Sequence, residues 1–256
     1  MSHQAFDDEL VSIITPAYRA GAYVGETIQS VLAQSYPHWE MLIADDCSPD
    51  DTRAVVQAWC ERDPRVRLIA LAKNGGPAAA RNAALAQAKG RWLAFLDSDD
   101  LWLPQKLEHT LAHARATQAA LVFTGFRRIS FDGQTTGRAI SVPDALTYSA
   151  LLGNTAIATS TVLIDRAQTG DIHMQSVFYD DFVCWLGILK RGLAARGLNE
   201  DLMRYRVVAQ SVSRNKRRSA AEVWKTYRQV EQLGLLRSGW HFAHYAVNAA
   251  LKYRQF

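Results

Sequence analysis

The stretch Arg91-Trp-Leu-Ala-Phe-Leu-Asp-Ser-Asp-Asp-Leu-Trp-Leu103 carries an apolar run straight into three carboxylates, Asp97, Asp99 and Asp100. Trp92 to Leu96 reads as a buried strand, because five apolar residues flanked by charged and turn-forming ones are too few for a helix. In a parallel sheet such a cluster falls at the C-terminal edge, where α/β folds bind their ligands. Hard oxygen donors grouped there suit Mg²⁺ or Mn²⁺ shared with a substrate phosphate. The same residues also make an acceptable acidic turn capping a helix that begins near Pro104. The flanking sequence has to decide between them.

Upstream, Leu10–Thr15 (LVSIIT) is a β-branched strand stopped by Pro16, and Pro16-Ala17-Tyr18 turns the chain. Ile28, Val31 and Leu32 fall at helical spacing and predict a helix from about Tyr23 to Ala33. An apolar strand, Glu40 to Ala44, completes a βαβ unit. It too ends in acid, Asp45-Asp46. Acceptor-only side chains at that edge suit a base N–H or a ribose hydroxyl, whereas Asp50 and Asp51 read as the cap of a helix from Thr52 to Arg62. A third strand, Val66–Leu71, precedes Lys73-Asn74-Gly75-Gly76-Pro77, a turn that needs glycine's freedom. The helix after it carries Arg81 and presents an N-terminus able to favour an anion; Arg81 reads equally as a surface residue. No G-x-G-x-x-G follows the first strand and no G-x-x-x-x-G-K-[ST] occurs anywhere, so dinucleotide oxidoreductases and P-loop enzymes lose their best support.

Downstream, Pro104–Thr117 reads as a helix burying Leu107, Leu111 and Ala114. His109 and His113 lie four apart on it without a third metal ligand, which points to a solvated face. Leu121–Phe126 is a strand, Asp132-Gly133 marks a hairpin, and Ala156–Ile164 is expected as a strand behind the acidic edge. Asp180-Asp181 then stands at the head of an apolar helix containing Trp185, Leu186 and Leu189. It is readable either as a helix cap or as a general base at the mouth of a site.

The 256 residues, 48 % apolar and 21 % charged, accommodate one main domain with an appendage. The polar start MSHQAFDDEL shows no secretory signal, and three unpaired cysteines fit a reducing compartment, so the expected address is the cytoplasm. Net charge is +4 but lopsided. From Glu200 onward eleven Lys/Arg face four Asp/Glu, a net of +7, leaving −3 for the first 199 residues. A basic tail suits an anionic membrane face, a phosphorylated ligand or simply solvent. Nucleic acid is disfavoured, since the tail's aromatic residues fall at helical spacing and make no stacking platform.

Four separated stretches, VSIITPAY, IADDCSPDDT, NGGPAAARNAAL with FLDSDD, and DDFVCWL, together resemble family 2 glycosyltransferases of the GT-A fold. With YRVVAQSVSRNK they span roughly residues 10 to 216. The resemblance implies an α/β fold, a mostly parallel sheet between helices, with a GT-A domain over 1–216. Its nucleotide-sugar half would cover about 10–103 and its acceptor half about 104–216, and 217–256 would form a C-terminal helical extension. It implies that Asp99 holds a divalent metal, Mn²⁺ or Mg²⁺, on the donor's pyrophosphate, with Asp97 near the ribose or the metal and Ser98 between them. Pro16, Ala17 and Tyr18 would border the nucleotide base, Asp46 would accept from it, and Arg81 would hold the base or its loop. Asp181 matches the family's catalytic base. Where family members commonly show Glu-Asp, this chain has Asp180-Asp181, so Asp180 is a shortened partner.

The C-terminal segment AAEVWKTYRQVEQLGLLRSGWHFAHYAVNAALKY is similar to that of bacterial transferases that build teichuronic acid, O-antigen and capsule repeats. It reads as two helices, with Trp224, Tyr227 and Val230 on one face and Trp240, Val247 and Leu251 on another. The run from Gly239 to Tyr253 is too short and too polar to span a bilayer. The pair is suited to lie on the cytoplasmic face of the inner membrane, to pack on the catalytic domain or to join a second subunit as a homo-oligomer. The resemblance thus implies inverting, metal-dependent transfer from a nucleotide sugar, expected to be UDP-linked. The acceptor would be a hydroxyl of a lipid-diphosphate-linked oligosaccharide. Arg206, Arg214 and Lys216 are placed to close over the diphosphate. The alternatives are a sugar nucleotidyltransferase, for which TPAYRAGAY lacks a glycine-rich phosphate loop, and an inactive sugar- or nucleotide-binding assembly subunit, against which Asp99 and Asp181 speak.

Overall fold

The computed structural model describes residues 6–154, 157–207 and 216–253, with residues 216, 217 and 249–253 described by backbone alone. Strand and helix alternate through β1 (Asp7–Ala17), α1 (Val24–Leu32), β2 (Trp39–Asp45), α2 (Thr52–Cys60), β3 (Val66–Ala70), α3 (Pro77–Leu85) and β4 (Gly90–Phe95). The chain continues through β5 (Leu101–Trp102), α4 (Lys106–Thr117), β6 (Leu121–Ile129), β7 (Thr136–Ile140), β8 (Ala145–Leu146) and α5 (Tyr148–Leu152). It ends with β9 (Leu163–Asp165), α6 (Arg166–Thr169), α7 (Asp180–Lys190), β10 (Ala195–Arg206), α8 (Lys216–Lys225) and α9 (Leu235–Tyr253).

One ten-stranded sheet runs β3-β2-β1-β4-β9-β6-β10-β5, with β7 beside β6 and β8 beside β10. β3, β2, β1 and β4 are parallel neighbours. β9 is antiparallel to both β4 and β6, while β6 and β10 run parallel. The parallel pairing expected from the βαβ pattern therefore belongs chiefly to the first half, and the second half is mixed. Period-two alternation sends Ile14, Leu42, Leu93 and Phe95 to one face, with residues of α3 and α7, and Ile13, Met41, Ile43 and Ala94 to the other, with residues of α1 and α4. Both faces are covered, which is why these strands read as continuous apolar runs.

Two expectations need correction. β1 does not stop at Pro16, which pairs with Ala44 inside the β1–β2 ladder. The Leu96 N–H donates to the Ile14 carbonyl, so the peptide groups of Ile14, and of Pro16 two residues on, face β4; that ladder ends at Ile14–Phe95. The N–H that proline lacks has no ladder partner to lose. The strand expected over Ala156–Ile164 is only Leu163–Asp165, preceded by a 3₁₀ turn at Thr159–Thr161; Ala156 itself lies outside the described residues. Three successive hydroxyl residues interrupt the apolar run, and the turn they make faces the acidic edge.

The C-terminal helices pack inward along one side. Tyr227, in a π-helical turn at Thr226–Val230, is fully buried and donates to the Leu152 carbonyl. Trp224 meets Phe242 edge-on at 5.5 Å, and Phe242 and Tyr245 join the core. Trp240 and Val247 stay exposed. No helix among the described residues is long and apolar enough to cross a membrane.

Candidate active site

The acidic turn after β4 is held by side chains distant in sequence. The Ser160 hydroxyl accepts from the Asp97 N–H at 3.0 Å and donates to the Asp100 carboxylate at 2.5 Å. Asp100 also accepts from the Arg206 N–H at 2.9 Å and is nearly inaccessible. The Thr27 hydroxyl is shared between the carbonyls of Ser98 and Asp100. Asp100 is thereby committed to the fold. Burial, with the charges of Asp99 and Asp97 added, drives its carboxyl well above the ordinary range. Asp97, Ser98 and Asp99 remain half-exposed.

Arg81 joins this turn to the head of α7. It is buried, and its guanidinium reaches Asp97 and Asp180 at 2.7 Å each. Burial opposes its charge, but Asp97, Asp180 and Asp181 outweigh it and hold the guanidinium above its usual pKa. Asp180 is 4 % exposed and faces Arg81; burial and the Asp181 charge push its carboxyl up against the pull of that cation. Asp181, one residue on and 100° around the helix, is half-exposed. One of its oxygens accepts from the Thr159 hydroxyl and the other from the Phe182 N–H.

At the ends of β1 and β2, Asp46 is 3 % exposed; its two oxygens accept from the N–H groups of Gly75 and Gly76 at 2.7 and 2.8 Å. Its own N–H donates to the Ala17 carbonyl at 2.8 Å, and its carbonyl accepts from the Asn74 amide at 3.0 Å. Asp46 thus braces the turn that opens α3, where Gly76 takes φ +81°, a conformation costly to other residues. Asp45 is fully buried and paired with Arg53. Beside them Pro16 is half-exposed and Tyr18 is 46 % exposed, its ring 5.4 Å under the Arg19 guanidinium. Arg19 and Cys47 both adopt positive φ, 53° and 58°, at this edge, backbone strain of the kind that collects at ligand sites.

The structure brings Pro16, Ala17, Tyr18 and Asp46 to one end of the parallel strands. Arg81 links Asp97 to the helix that bears Asp181. Arg206 does not close over the site as expected. It is 3 % exposed and donates to the Asp99 carbonyl at 2.9 Å, to the Phe131 carbonyl at 2.8 Å and to Glu26, with its guanidinium 5.2 Å from the Tyr23 ring. Arg214 and the side chain of Lys216 lie outside the described residues. His109 pairs with Glu200 on the surface. Sequence reasoning missed Thr159, Ser160 and Thr27; the one signal available was the run of hydroxyls in an otherwise apolar segment. An open cavity of about 390 Å³ lies between the Gly75–Ala78 turn, Ser176–Phe178 and the inner side of α8, with Lys225, Gln229 and Glu222 on its wall.

Asp99 presents a half-exposed carboxylate beside that of Asp97. Partial burial first, then the Asp97 charge, pushes its carboxyl up to about 6 against the pull of Arg206. No group of three or more His, Cys, Asp or Glu side chains among the described residues is arranged to enclose an ion. Mg²⁺ and Mn²⁺ are commonly held by one or two carboxylates plus water and substrate phosphates. Asp99 with Asp97 fits that donor set, although Asp97 already gives one oxygen to Arg81.

A parallel half that ends in an acidic turn, continued by a mixed second half, is the architecture of GT-A glycosyltransferases. The solved structure of S. aureus TarS residues 1–349 in complex with UDP-GlcNAc shares this fold, with a TM-score of 0.72 over 92 % of this chain and 71 % of that one at 19 % identity. The profile described as "Glycosyl transferase family 2" matches residues 12–177, and the chain belongs to that family. The matched span stops four residues short of Asp181. A Bacillus subtilis protein named as the putative teichuronic acid biosynthesis glycosyltransferase TuaG is 46 % identical over 95 % of this chain and 97 % of its own length. The Escherichia coli UDP-Glc:alpha-D-GlcNAc-diphosphoundecaprenol beta-1,3-glucosyltransferase WfgD is 36 % identical over 85 % of each.

Proposed function

We propose that this glycosyltransferase uses a UDP-sugar and extends a lipid-diphosphate-linked saccharide in bacterial surface polysaccharide biosynthesis, at the cytoplasmic face of the membrane, by an inverting mechanism. The observation that carries the reading is the Arg81 bridge, because it sets the half-exposed Asp181 in fixed relation to the acidic turn. Tyr18, Pro16 and the Asp46-braced turn border the nucleotide, and Asp97 and Asp99 meet the ribose and diphosphate. Asp99 and Asp97 would hold a Mg²⁺ or Mn²⁺, which when bound would supply positive charge for the departing diphosphate.

Asp181 removes the acceptor hydroxyl's proton as its oxygen attacks the anomeric carbon. The bond from that carbon to the phosphate oxygen breaks, and its electron pair leaves with the nucleoside diphosphate. Attack opposite the leaving group turns an α-linked donor into a β-linked product. Thr159 and the Phe182 N–H hold the carboxylate in its rotamer while this happens. The kinship to TuaG and WfgD supports the acceptor class.

Calorimetric titration with UDP, GDP and CDP, with and without Mn²⁺, tests the donor site on wild type and Asp99→Ala. UDP binding that requires both the metal and Asp99 is expected. Binding indifferent to both, or no nucleotide binding at all, sinks the reading.

A further inference from the structure

Helix α9 has a second face that nothing among the described residues covers. At 100° per residue, Leu236, Trp240, Ala243 and Val247 share an arc of about 60°, opposite the buried Ser238 and the core-packing Tyr245. Leu236 is 92 % exposed, Trp240 66 % and Val247 59 %, and Leu235 beside them is 67 %. These are four of the seven large hydrophobic residues found exposed among the described residues. An apolar stripe concentrated on one surface helix marks an interaction site.

The charge around the stripe selects the partner. From Leu235 to the C-terminus the sequence has Arg237, Lys252 and Arg254 and no Asp or Glu. Arg237 is exposed on the stripe's flank. The two acids of the C-terminal extension are already engaged. Glu231 is buried against Lys190 and Tyr148, and Glu222 lies 3.7 Å from Lys225. We propose that α9 lies flat in the surface of an anionic phospholipid bilayer, with Leu236, Trp240 and Val247 inserted at the headgroup boundary and Arg237 among the lipid phosphates. A basic, acid-free helix with one apolar face, too polar to span, has the make-up of an interfacial helix. The proposal deepens the functional reading by saying how the enzyme meets a lipid-linked acceptor, and vesicle binding is measured apart from sugar transfer.

The full chain is sedimented with vesicles of phosphatidylcholine alone and of an equal phosphatidylcholine–phosphatidylglycerol mixture, at low and high salt. Wild type is expected to partition onto the mixed vesicles at least about tenfold better than onto neutral ones, and less so in salt. Trp240→Glu and Leu236→Glu/Trp240→Glu should each lower that partition about tenfold or more, and Arg237→Glu should lower it at low salt only. Circular dichroism and UDP-sugar hydrolysis should stay at wild-type values in Trp240→Glu. Three results overturn the proposal: equal or absent binding to both vesicle types, undiminished binding by the double variant, or a wild-type dimer that Trp240→Glu turns into monomer. If wild type binds no UDP in the presence of Mn²⁺, the transferase reading fails while the vesicle result still decides this one.

Discussion

Replacing Arg81 by methionine removes the cation that two carboxylates share and keeps most of the side chain's apolar stem. The guanidinium side chain is 7 % exposed, Asp180 6 % and Asp97 31 %. Breaking a buried pair from one side costs about 3–5 kcal/mol, because the stranded charge has no water to return to. The Asp97 contact, a third exposed, adds little by comparison. Nearly all the loss therefore belongs to Asp180, and Arg81→Met should unfold roughly 3–5 kcal/mol more easily in urea at neutral pH. Neutralising the stranded group should reverse much of this, so Arg81→Met/Asp180→Asn is expected to recover at least about half the deficit. Acid should do the same. Asp180 already titrates above 3.8 in the fold and must rise further without Arg81. The folded variant then binds a proton the unfolded chain has released, its stability falls as pH rises, and the deficit narrows on acidification. Nucleotide binding should not return in the double variant, since Asp97 is still unheld. A loss below about 1 kcal/mol for Arg81→Met, or a double variant no more stable than the single, would refute the assignment of Arg81 as the buried tie between the two halves.

Asp181→Asn should lower the transfer rate by about 10²–10⁴ while leaving the calorimetric Kd for UDP and Mn²⁺ unchanged; a parallel loss of UDP binding would move Asp181 from base to donor ligand. Thr159→Val should lower kcat roughly tenfold with donor Kd and urea midpoint nearly unaltered, as removal of one hydrogen bond that orients the base predicts. Lys106 is fully buried, finds no hydrogen-bond partner among the described residues and lies with Nζ 4.0 Å from the Trp102 ring centroid. Burial pulls its pKa from 10.5 to about 7, a penalty of about 5 kcal/mol when the folded amine is charged. Between those values the unfolded chain binds the extra proton, so wild-type stability should climb with pH through that window. Lys106→Met should flatten the climb and raise neutral-pH stability by about 3 kcal/mol once some 2 kcal/mol of cation–π attraction is lost, as read from urea unfolding across pH.

The parallel half was legible because its strands are buried on both faces and announce themselves as unbroken apolar runs between turn residues. Trp92–Leu96 with its acidic end located the central edge, Asp45-Asp46 marked a second acidic strand end, and Asp180-Asp181 stood at the head of an apolar helix, while Arg81 read equally as a surface residue. Their pairings were not legible. Whether Asp46 faces a ligand or a glycine turn depends on how far Gly75 and Gly76 approach, and that distance is set by β3 and α3 packing on the sheet. The second half was harder for a different reason. β9 has three residues, β5 and β8 have two, and β10 runs beside β6 with register shifts; such elements gain their stability from neighbours and leave no periodicity of their own. Thr159 and Ser160 fall inside the run Ala156–Ile164 expected as one strand, and only its end, from Leu163, is strand.

The division of roles between Asp180 and Asp181 follows from the helix they begin. Adjacent residues in a first turn diverge by 100°, so only one of the two faces the core. Asp180 takes that position, meets Arg81 and anchors the head of α7 to the same guanidinium that holds Asp97. Asp181 is left toward the open site, with Thr159 and the Phe182 N–H fixing its two oxygens. Both carboxylates sit where the helix dipole favours negative charge, which makes them look interchangeable in the sequence. Their environments separate them: a buried, paired carboxylate cannot approach an incoming hydroxyl, and a half-exposed one can. Asp180 reaches Arg81 at 2.7 Å. The Arg81 tie thus joins the acidic turn to the head of α7, and this supports the proposal that proton removal falls to Asp181.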